Sequence, residues 1–477
     1  MMDNKSFNLE EKDIFKLFNE IKVEEDEFND MNEEIPTIKK ERIKKNLNKR
    51  IKEQKRFKAL KYGSIAAAIS LVSIIGIGTV SPAFAKNIPI LNSITQTIND
   101  KFGFSGDYAK YSQDVSQSAT DNGITLTINE VLADDSKLIL GYTIKSDKKI
   151  SDLEMFTLSS LKINGKRPDG GSHGSAAGSY IDDYTYVGTE EIHTKIPQSS
   201  DIFNIDLKVT DIGDIKGKWE FAFSISKEEL LKSSTVFNPK NKIDFPDSSV
   251  NVDKVVFSPI DTSIFISGKS KYERDRALLD YDYWIAFDDK GIELTPKGLG
   301  GGSGNLKEKT FTSEMNYVSM KNIPKYLTIV PCKIIPSAGG GVSVDKNGKE
   351  TPITIKTEKP KEISKVIDGI YPIELSQGKV GKLIIKGIKT ENDKTIVKYT
   401  AEGKAPYFQA SDLLIKDEHG ENIKIKDYNI RKDEQNPNEF TKVFEALDSN
   451  KKYTIYTNDF SNVEFREDLK FKIEFNK

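Results

Sequence analysis

The stretch Gly123–Ile144, GITLTINEVLADDSKLILGYTI, alternates apolar and polar residues on either side of the polar turn ADDS. A period of two residues predicts two antiparallel strands joined by a hairpin. The pattern returns 126 residues later in Ser249–Ser270, SVNVDKVVFSPIDTSIFISGKS. It returns again about 258 residues after the first in Gly381–Glu402, GKLIIKGIKTENDKTIVKYTAE. A hairpin that recurs at a nearly constant period indicates a repeated structural unit.

A turn glycine follows each hairpin at a matching spacing of 126 and then 129 residues: Gly165 in SLKINGKRP, Gly291 in FDDKGIELTP and Gly420 in IKDEHGENIKI. Units of this length with about seven short strands predict a mainly β protein with three tandem immunoglobulin-like β-sandwich domains. The predicted domains are residues 112–235, 240–358 and 366–477. The chain has one cysteine, so these sandwiches cannot contain an intramolecular disulfide.

Upstream of the first unit, Tyr62–Ala85 (YGSIAAAISLVSIIGIGTVSPAFA) contains no charged residue. About 20 apolar residues suffice for a helix to cross a bilayer, so we expect a transmembrane helix here rather than a buried core helix. Residues 39–61 contain twelve Lys or Arg and two Glu, which places residues 1–61 in the cytoplasm and the bulk of the chain outside. Residues 86–111 are predicted to form a stalk. Ala83-Phe84-Ala85 has the form of a signal-peptide cleavage site, but the long preceding segment favours a retained span.

The cytoplasmic segment changes from acidic to basic, with twelve acidic and four basic groups in residues 1–38. Within Asp13–Val23, one helical face carries Ile14, Leu17, Phe18 and Ile21. So short a helix needs a partner, which could be another helix, the lipid bilayer or another protein. The basic stretch 39–61 fits an anchor to anionic lipid. It contains one aromatic residue, Phe57, which argues against direct nucleic-acid binding.

Side chains suited to catalysis or metal binding are sparse. His173, His193 and His419 have no metal-ligand spacing, and His173 is predicted to lie in a surface loop. Cys332 is predicted to be a small buried hydrophobe. Three acidic pairs could contribute to a calcium site or to acid–base chemistry, but two of them fall at predicted turns, which favours a turn role: Asp134-Asp135, Asp182-Asp183 and Asp288-Asp289. We therefore predict no catalytic, cofactor or metal site and no enzymatic activity.

The end of the span, SPAFAKNIPILNSI, and the following YSQDVSQSATDNGITLTINEVLADDSKLILGYTIKSD resemble a Gram-positive membrane-anchored family of unknown function. This family is domain of unknown function four-one-seven-nine, and the resemblance covers about residues 40–150. YWIAFDDKGIEL and GLGGGSG look like a companion extracytoplasmic family that also has no assigned function. The resemblance implies an anti-sigma-factor-like protein that pairs with an extracytoplasmic-function sigma factor. It also implies a sigma-facing surface made of Ile14, Phe15, Leu17, Phe18 and Ile21. Residues 1–61 contain no His or Cys, so a zinc-type anti-sigma domain is excluded.

Two functions follow from this organisation. The first is a single-pass membrane regulator whose cytoplasmic segment sequesters a sigma factor. Its outer β domains would then sense an envelope signal, an extracellular ligand or a cell-wall component. The second is a structural or adhesive cell-surface protein in which the β domains are spacers or ligand binders and the inner segment is only an anchor.

Overall fold

The structure, a computed structural model, describes residues 93–149, 156–168, 172–271, 283–297, 302–305, 307–334, 340–344, 350–354, 360–433 and 435–475. All of them lie in one compact unit of the chain, Ser73–Lys477. Within these residues no helix is both long enough and apolar enough to span a bilayer. The predicted span 62–85 lies outside the described residues, as do the predicted partner-binding residues Ile14, Phe15, Leu17, Phe18 and Ile21.

The prediction of a mainly β protein is confirmed, because strands in several sheets make up most of the described chain and the helices are short. The strands group into three modules, and in each module two sheets enclose a shared apolar core. The immunoglobulin-like type of these modules stays a prediction.

In the first module, two short helices precede the strands and a third helix follows them. Its helices are α1 (Ile94–Lys101), α2 (Tyr108–Tyr111) and α3 (Glu228–Lys232). Its strands are β1 (Gln113–Asp121), β2 (Ile124–Ala133), β3 (Lys137–Ser146), β4 (Phe156–Ile163), β5 (Ser172–Asp182), β6 (Thr185–Thr194), β7 (Ile202–Ile212) and β8 (Ile215–Ser226). The larger sheet has the order β1-β2-β3-β6-β5 and the smaller one the order β4-β7-β8. Residues from 93 onward in the predicted stalk pack against this module through buried Ile98, Tyr108 and Tyr111.

The second module repeats this plan. Its strands in this part of the chain are β9 (Thr235–Phe237), β10 (Asn241–Asp244), β11 (Ser248–Phe257), β12 (Asp261–Ser270), β13 (Tyr283–Phe287), β14 (Gly302–Asn305), β15 (Thr310–Val318) and β16 (Tyr326–Ile334). The larger sheet has the order β10-β11-β12-β15-β14, with β9 on β11. The smaller sheet begins with the pair β13-β16.

A hairpin of β17 (Gly340–Val344) and β18 (Glu350–Thr354) precedes the third module. The third module contains helix α4 (Pro406–Ser411). Its strands are β19 (Glu362–Val366), β20 (Ile373–Ser376), β21 (Gly381–Glu391), β22 (Lys394–Gly403), β23 (Leu414–Asp417), β24 (Ile425–Asp427), β25 (Glu439–Glu445) and β26 (Tyr453–Asn458). The two sheets have the orders β20-β21-β22-β25-β24 and β19-β26-β23. The chain ends with β27 (Val463–Phe465) and β28 (Phe471–Glu474).

The three repeated hairpins occupy equivalent places, because β2–β3, β11–β12 and β21–β22 are the second and third strands of their five-strand orders. The turn glycines Gly165, Gly291 and Gly420 follow β4, β13 and β23. Their φ angles are 76°, 80° and 86°, a left-handed conformation that glycine adopts without steric cost. The period in the sequence therefore reflects one strand order used three times.

The last two strands do not join the third module. β27 and β28 pair with β16 of the second module, and Ile473 is fully buried in the core of that module. Within the third module, β19 pairs with β26, although β19 begins before the predicted start of this domain at residue 366. The second module is therefore discontinuous in sequence. Domain boundaries drawn from the repeat period do not predict this.

Candidate functional site

A network of buried charged side chains joins the first module to the second. The first module contributes the turn before β3, the first residue of β3 and the end of β6. The second contributes the first residue of β12, the middle of β15 and a loop residue after β13. We call this set the ionic network: Asp134, Lys137, Glu191, His193, Asp261, Lys297 and Glu314.

Lys137 lies at the centre of the ionic network and its side chain is completely buried. Its Nζ atom donates a hydrogen bond to Asp261 of the second module. The same atom lies 3.6 Å from Asp134 Oδ2 and 4.0 Å from Glu314 Oε1. Burial opposes the charge of Lys137, but these carboxylates outweigh it and hold its pKa well above the usual value.

Lys297 is the second buried cation. Its Nζ atom lies 2.9 Å from Glu191 Oε2 and 3.7 Å from Asp261 Oδ2. It also lies 5.3 Å from the centre of the Tyr108 ring, within the range of a cation–π contact. The Tyr108 hydroxyl donates to the carbonyl of Ile260 (3.0 Å), and burial raises the pKa of Tyr108 to about 12. Helix α2 therefore contacts the second module directly.

His193 bridges carboxylates of both modules. Its Nε2 atom lies 3.0 Å from Glu191 Oε1, and its Nδ1 atom lies 3.4 Å from Glu314 Oε2. Burial disfavours the charged imidazole, but the two carboxylates outweigh burial and raise the pKa of His193 to about 9. At neutral pH His193 is therefore a cation held between the modules.

The charges of the ionic network nearly balance. Lys137, Lys297 and protonated His193 face four carboxyl groups. Burial raises the pKa of Asp134 above its usual value, which favours the neutral form of this one group. Across the described part of the chain, no cluster of three or more His, Cys, Asp or Glu side chains is arranged to hold a metal ion. The arrangement can bind two modules together and can respond to pH through His193.

The turn between β2 and β3 fixes the position of Asp134. Its Oδ1 atom accepts hydrogen bonds from the backbone N–H groups of Ser136 (2.6 Å) and Lys137 (2.9 Å), which closes the turn between β2 and β3. The neighbouring Asp135 pairs with the buried Lys227. The turn role favoured from the sequence is therefore combined with ion pairing.

The other two acidic pairs also lie in turns. Asp182 Oδ1 accepts from the backbone N–H of Tyr184 (2.8 Å), while the exposed Asp183 pairs with Lys149 (2.9 Å). Asp288 Oδ1 accepts from two backbone N–H groups of its own turn. Neither pair contacts the ionic network, so the structure brings only Asp134 of the six acidic residues into it.

The cysteine and the two other histidines lie in different environments. Cys332 is fully buried, as predicted. The prediction of a surface loop around His173 is wrong, because Ser172–Asp182 form the edge strand β5. The small residues there are needed for close packing: a Cβ atom on Gly178 would lie 2.2 Å from the Tyr186 hydroxyl. His419 lies exposed in the turn at Gly420.

A second buried polar contact lies at the start of the described chain, between helix α1 and strand β2 of the first module. Glu130 is buried under the N-terminus of α1, where its Oε1 atom accepts from Ser93 Oγ (2.8 Å), Thr95 N (2.7 Å) and Thr95 Oγ1 (2.8 Å). A carboxylate at this end is stabilised by the helix dipole. Glu130 therefore fixes the start of the described chain to the larger sheet of the first module.

Two segments of the chain match known families. Residues 54–146 match a domain of unknown function, DUF4179, and residues 234–375 match a family of unknown function, DUF5643. The resemblance seen in the sequence is confirmed. A comparison with curated proteins gives no match. A similar solved structure is the crystal structure of the conserved domain protein from Bacillus anthracis, with 20% identity and a TM-score of 0.41 over 52% of this chain and 88% of that chain.

Proposed function

We propose that this chain, which carries a DUF4179 domain followed by a DUF5643 domain, is a single-pass membrane regulator. In this proposal residues 1–61 lie in the cytoplasm and sequester an extracytoplasmic-function sigma factor. The three β modules lie outside and respond to an envelope signal. The assignment to a sigma factor rests on family likeness and on topology read from the sequence.

The observation that carries the proposal is the short connection between the apolar stretch 62–85 and the first module. Only residues 86–92 separate this stretch from Ser93, which bonds to Glu130. The ionic network then ties the first module to the second. In this proposal, a change in the outer part would pass to the residues next to the membrane through this short connection.

The sequence of the inner segment also supports the proposal. The spacing of Ile14, Leu17, Phe18 and Ile21 predicts an apolar face on a helix too short to bury that face alone. An amphipathic helix with such anchors is a common ligand for a hydrophobic groove on a partner protein. Release of the sigma factor would then follow proteolysis or a conformational change on the outer side.

The full-length chain with an affinity tag, captured from membranes, tests this function. We expect a sigma factor to co-purify with the native chain and to be lost from the double variant Leu17→Asp/Phe18→Asp. The control variant Lys16→Asp/Asn19→Asp changes the opposite helical face and should retain it. If no sigma factor is captured, and deletion of residues 1–36 leaves transcription unchanged, the regulator proposal fails in favour of the structural or adhesive function.

A further inference from the structure

A polar groove crosses the outer face of the larger sheet of the second module. Its volume is about 870 Å³, and it is open to solvent. The core side of the same sheet carries apolar residues such as Val250 and Ile266. The groove is therefore formed by the side chains that alternate to the opposite face.

Strand pairing arranges these side chains in two parallel rows. One row is Lys242, Asn251, Ser267, Thr312 and Ser303, taken in order across β10, β11, β12, β15 and β14. The other row is Asp244, Ser249, Lys269, Thr310 and Asn305 across the same strands. With strands about 4.8 Å apart, each row is roughly 19 Å long, and the rows lie about 7 Å apart. We call this surface the sheet groove.

The sheet groove and the hollow beside it are positively charged. The lysines that line them are Lys242, Lys269, Lys271, Lys307 and Lys309. They outnumber the nearby carboxylates, because Glu308 lines the hollow, Asp253 accepts a hydrogen bond from Ser267 Oγ of the groove (2.9 Å), and the third carboxylate is Asp244. Asp244 already pairs with Lys271 at 2.9 Å. In the described part of the chain, no carboxylate lies within ion-pair distance of Lys242, Lys269 or Lys307. Like charges gathered in one concave surface attract an anion.

The other lining groups narrow the class of anion. Hydroxyl and amide side chains make up most of both rows, and these groups bind phosphate oxygens and the hydroxyls of a polyol. The one lining aromatic residue, Phe311, is buried on the core side. Phe265, two residues from Ser267 on the same face, is partly buried, and Lys254 Nζ lies 4.3 Å from the centre of its ring. Single-stranded nucleic acid binds through bases stacked on several exposed rings, so this surface does not favour it. The 19 Å length of the rows suits a chain rather than a single phosphate.

We propose that the sheet groove binds a hydroxyl-bearing polyanion, a chain of polyols linked by phosphodiesters. Such a polyanion would be the ligand sensed by the outer part of the proposed regulator. Only this sensing role rests on the proposed function. Strand β15 connects the two features: Thr310 and Thr312 line the sheet groove, and Glu314, the next residue on that face, contacts His193 of the first module. A ligand in the sheet groove thus lies beside the ionic network.

Direct binding to the full-length chain in detergent micelles tests the inference, with soluble poly(glycerol phosphate) as the probe and calorimetry as the readout. We expect the triple variant Lys242→Gln/Lys269→Gln/Lys307→Gln to bind at least tenfold more weakly than the native chain. The control Lys208→Gln/Lys218→Gln/Lys232→Gln removes the same charge from side chains at least half exposed on the first module. It should bind within twofold of the native chain, and all three proteins should melt at the same temperature.

The inference would be overturned by no binding by the native chain, by equal loss in both triple variants, or by equally tight binding of oligoglutamate. Equally tight binding of the single lipid headgroup glycerophosphoglycerol would also contradict a site for a chain. Affinity for poly(glycerol phosphate) well above that for the headgroup, oligoglutamate and inorganic phosphate supports it. Sigma-factor capture by the groove variant should be unchanged, so failure of this inference is distinguishable from failure of the proposed function.

Discussion

Lys297 Nζ lies 2.9 Å from Glu191 Oε2, and the two residues belong to different modules. The Lys297 side chain is 2% exposed and that of Glu191 14%, so this ion pair is shielded from water. Burial tends to raise the pKa of Glu191, but Lys297 and His193 hold it well below its usual value. The contact between the first two modules therefore contains buried charges, and each of them is stabilised by an opposite charge on the other module.

Removing one of these buried charges should be costly. Lys297→Met leaves Glu191 and Asp261 without one of their cations, and we expect a loss of about 3–5 kcal/mol in the free energy of unfolding. Lys208→Met removes a lysine whose pair with Glu220 is exposed, and it should cost at most about 1 kcal/mol.

Urea unfolding of the full-length chain measures this difference. The two tryptophans report separately, because Trp219 lies in the core of the first module and Trp284 in that of the second. Equal effects of the two substitutions would show that the ionic network does not stabilise the contact.

His193 makes the stability depend on pH. Its pKa of about 9 in the folded chain exceeds the ordinary value of 6.5. The stabilisation is therefore fully present below pH 6.5 and is lost as the pH rises to 9, by about 3 kcal/mol at most. His193→Gln should be less stable than the native chain at pH 6 and should approach it at pH 9.5. A stability difference that stays constant from pH 6 to 9.5 would contradict a charged His193.

The pairing of β27 and β28 with β16 predicts that these two strands stabilise the second module. Ile473→Ala should cost about 2–5 kcal/mol, because Ile473 is fully buried among second-module residues. Hydrogen exchange should show lost protection in β11 and β12. The matched change Ile455→Ala removes an equally buried isoleucine from the third module and should expose β21 and β22 instead. Loss of protection confined to the third module in Ile473→Ala would refute the pairing of β28 with β16.

The anchor under α1 can be weakened without a change of shape. Glu130→Gln keeps an acceptor oxygen but removes the charge at the helix N-terminus, so we expect α1 to lose about 1 kcal/mol. Faster amide exchange in Thr95–Asp100 would report it. Glu220→Gln, at an exposed position, serves as the control and should leave those amides unchanged.

The repeated hairpins and their turn glycines could be predicted because they are local patterns of strand and turn chemistry. The ionic network could not, because Lys137 and Asp261 lie far apart in sequence and each resembles an ordinary polar residue at a strand end. One signal was available: Glu191 and His193 are two residues apart on a strand and so share a face. The pairing of β28 with β16 has no local signature, since it depends on a contact across the whole third module.

The proposed function requires that residues 1–61 and the β modules lie on opposite sides of a membrane. Cys332, the only cysteine, is fully buried, so single cysteines placed elsewhere can be labelled selectively with a membrane-impermeant maleimide. Val366 is 59% exposed and provides the outer position, and Ser6 provides the inner one. We predict that Val366→Cys is labelled on intact protoplasts and that Ser6→Cys is labelled only after the membrane is permeabilised. Labelling of both variants on intact protoplasts, or of neither, would contradict this membrane topology.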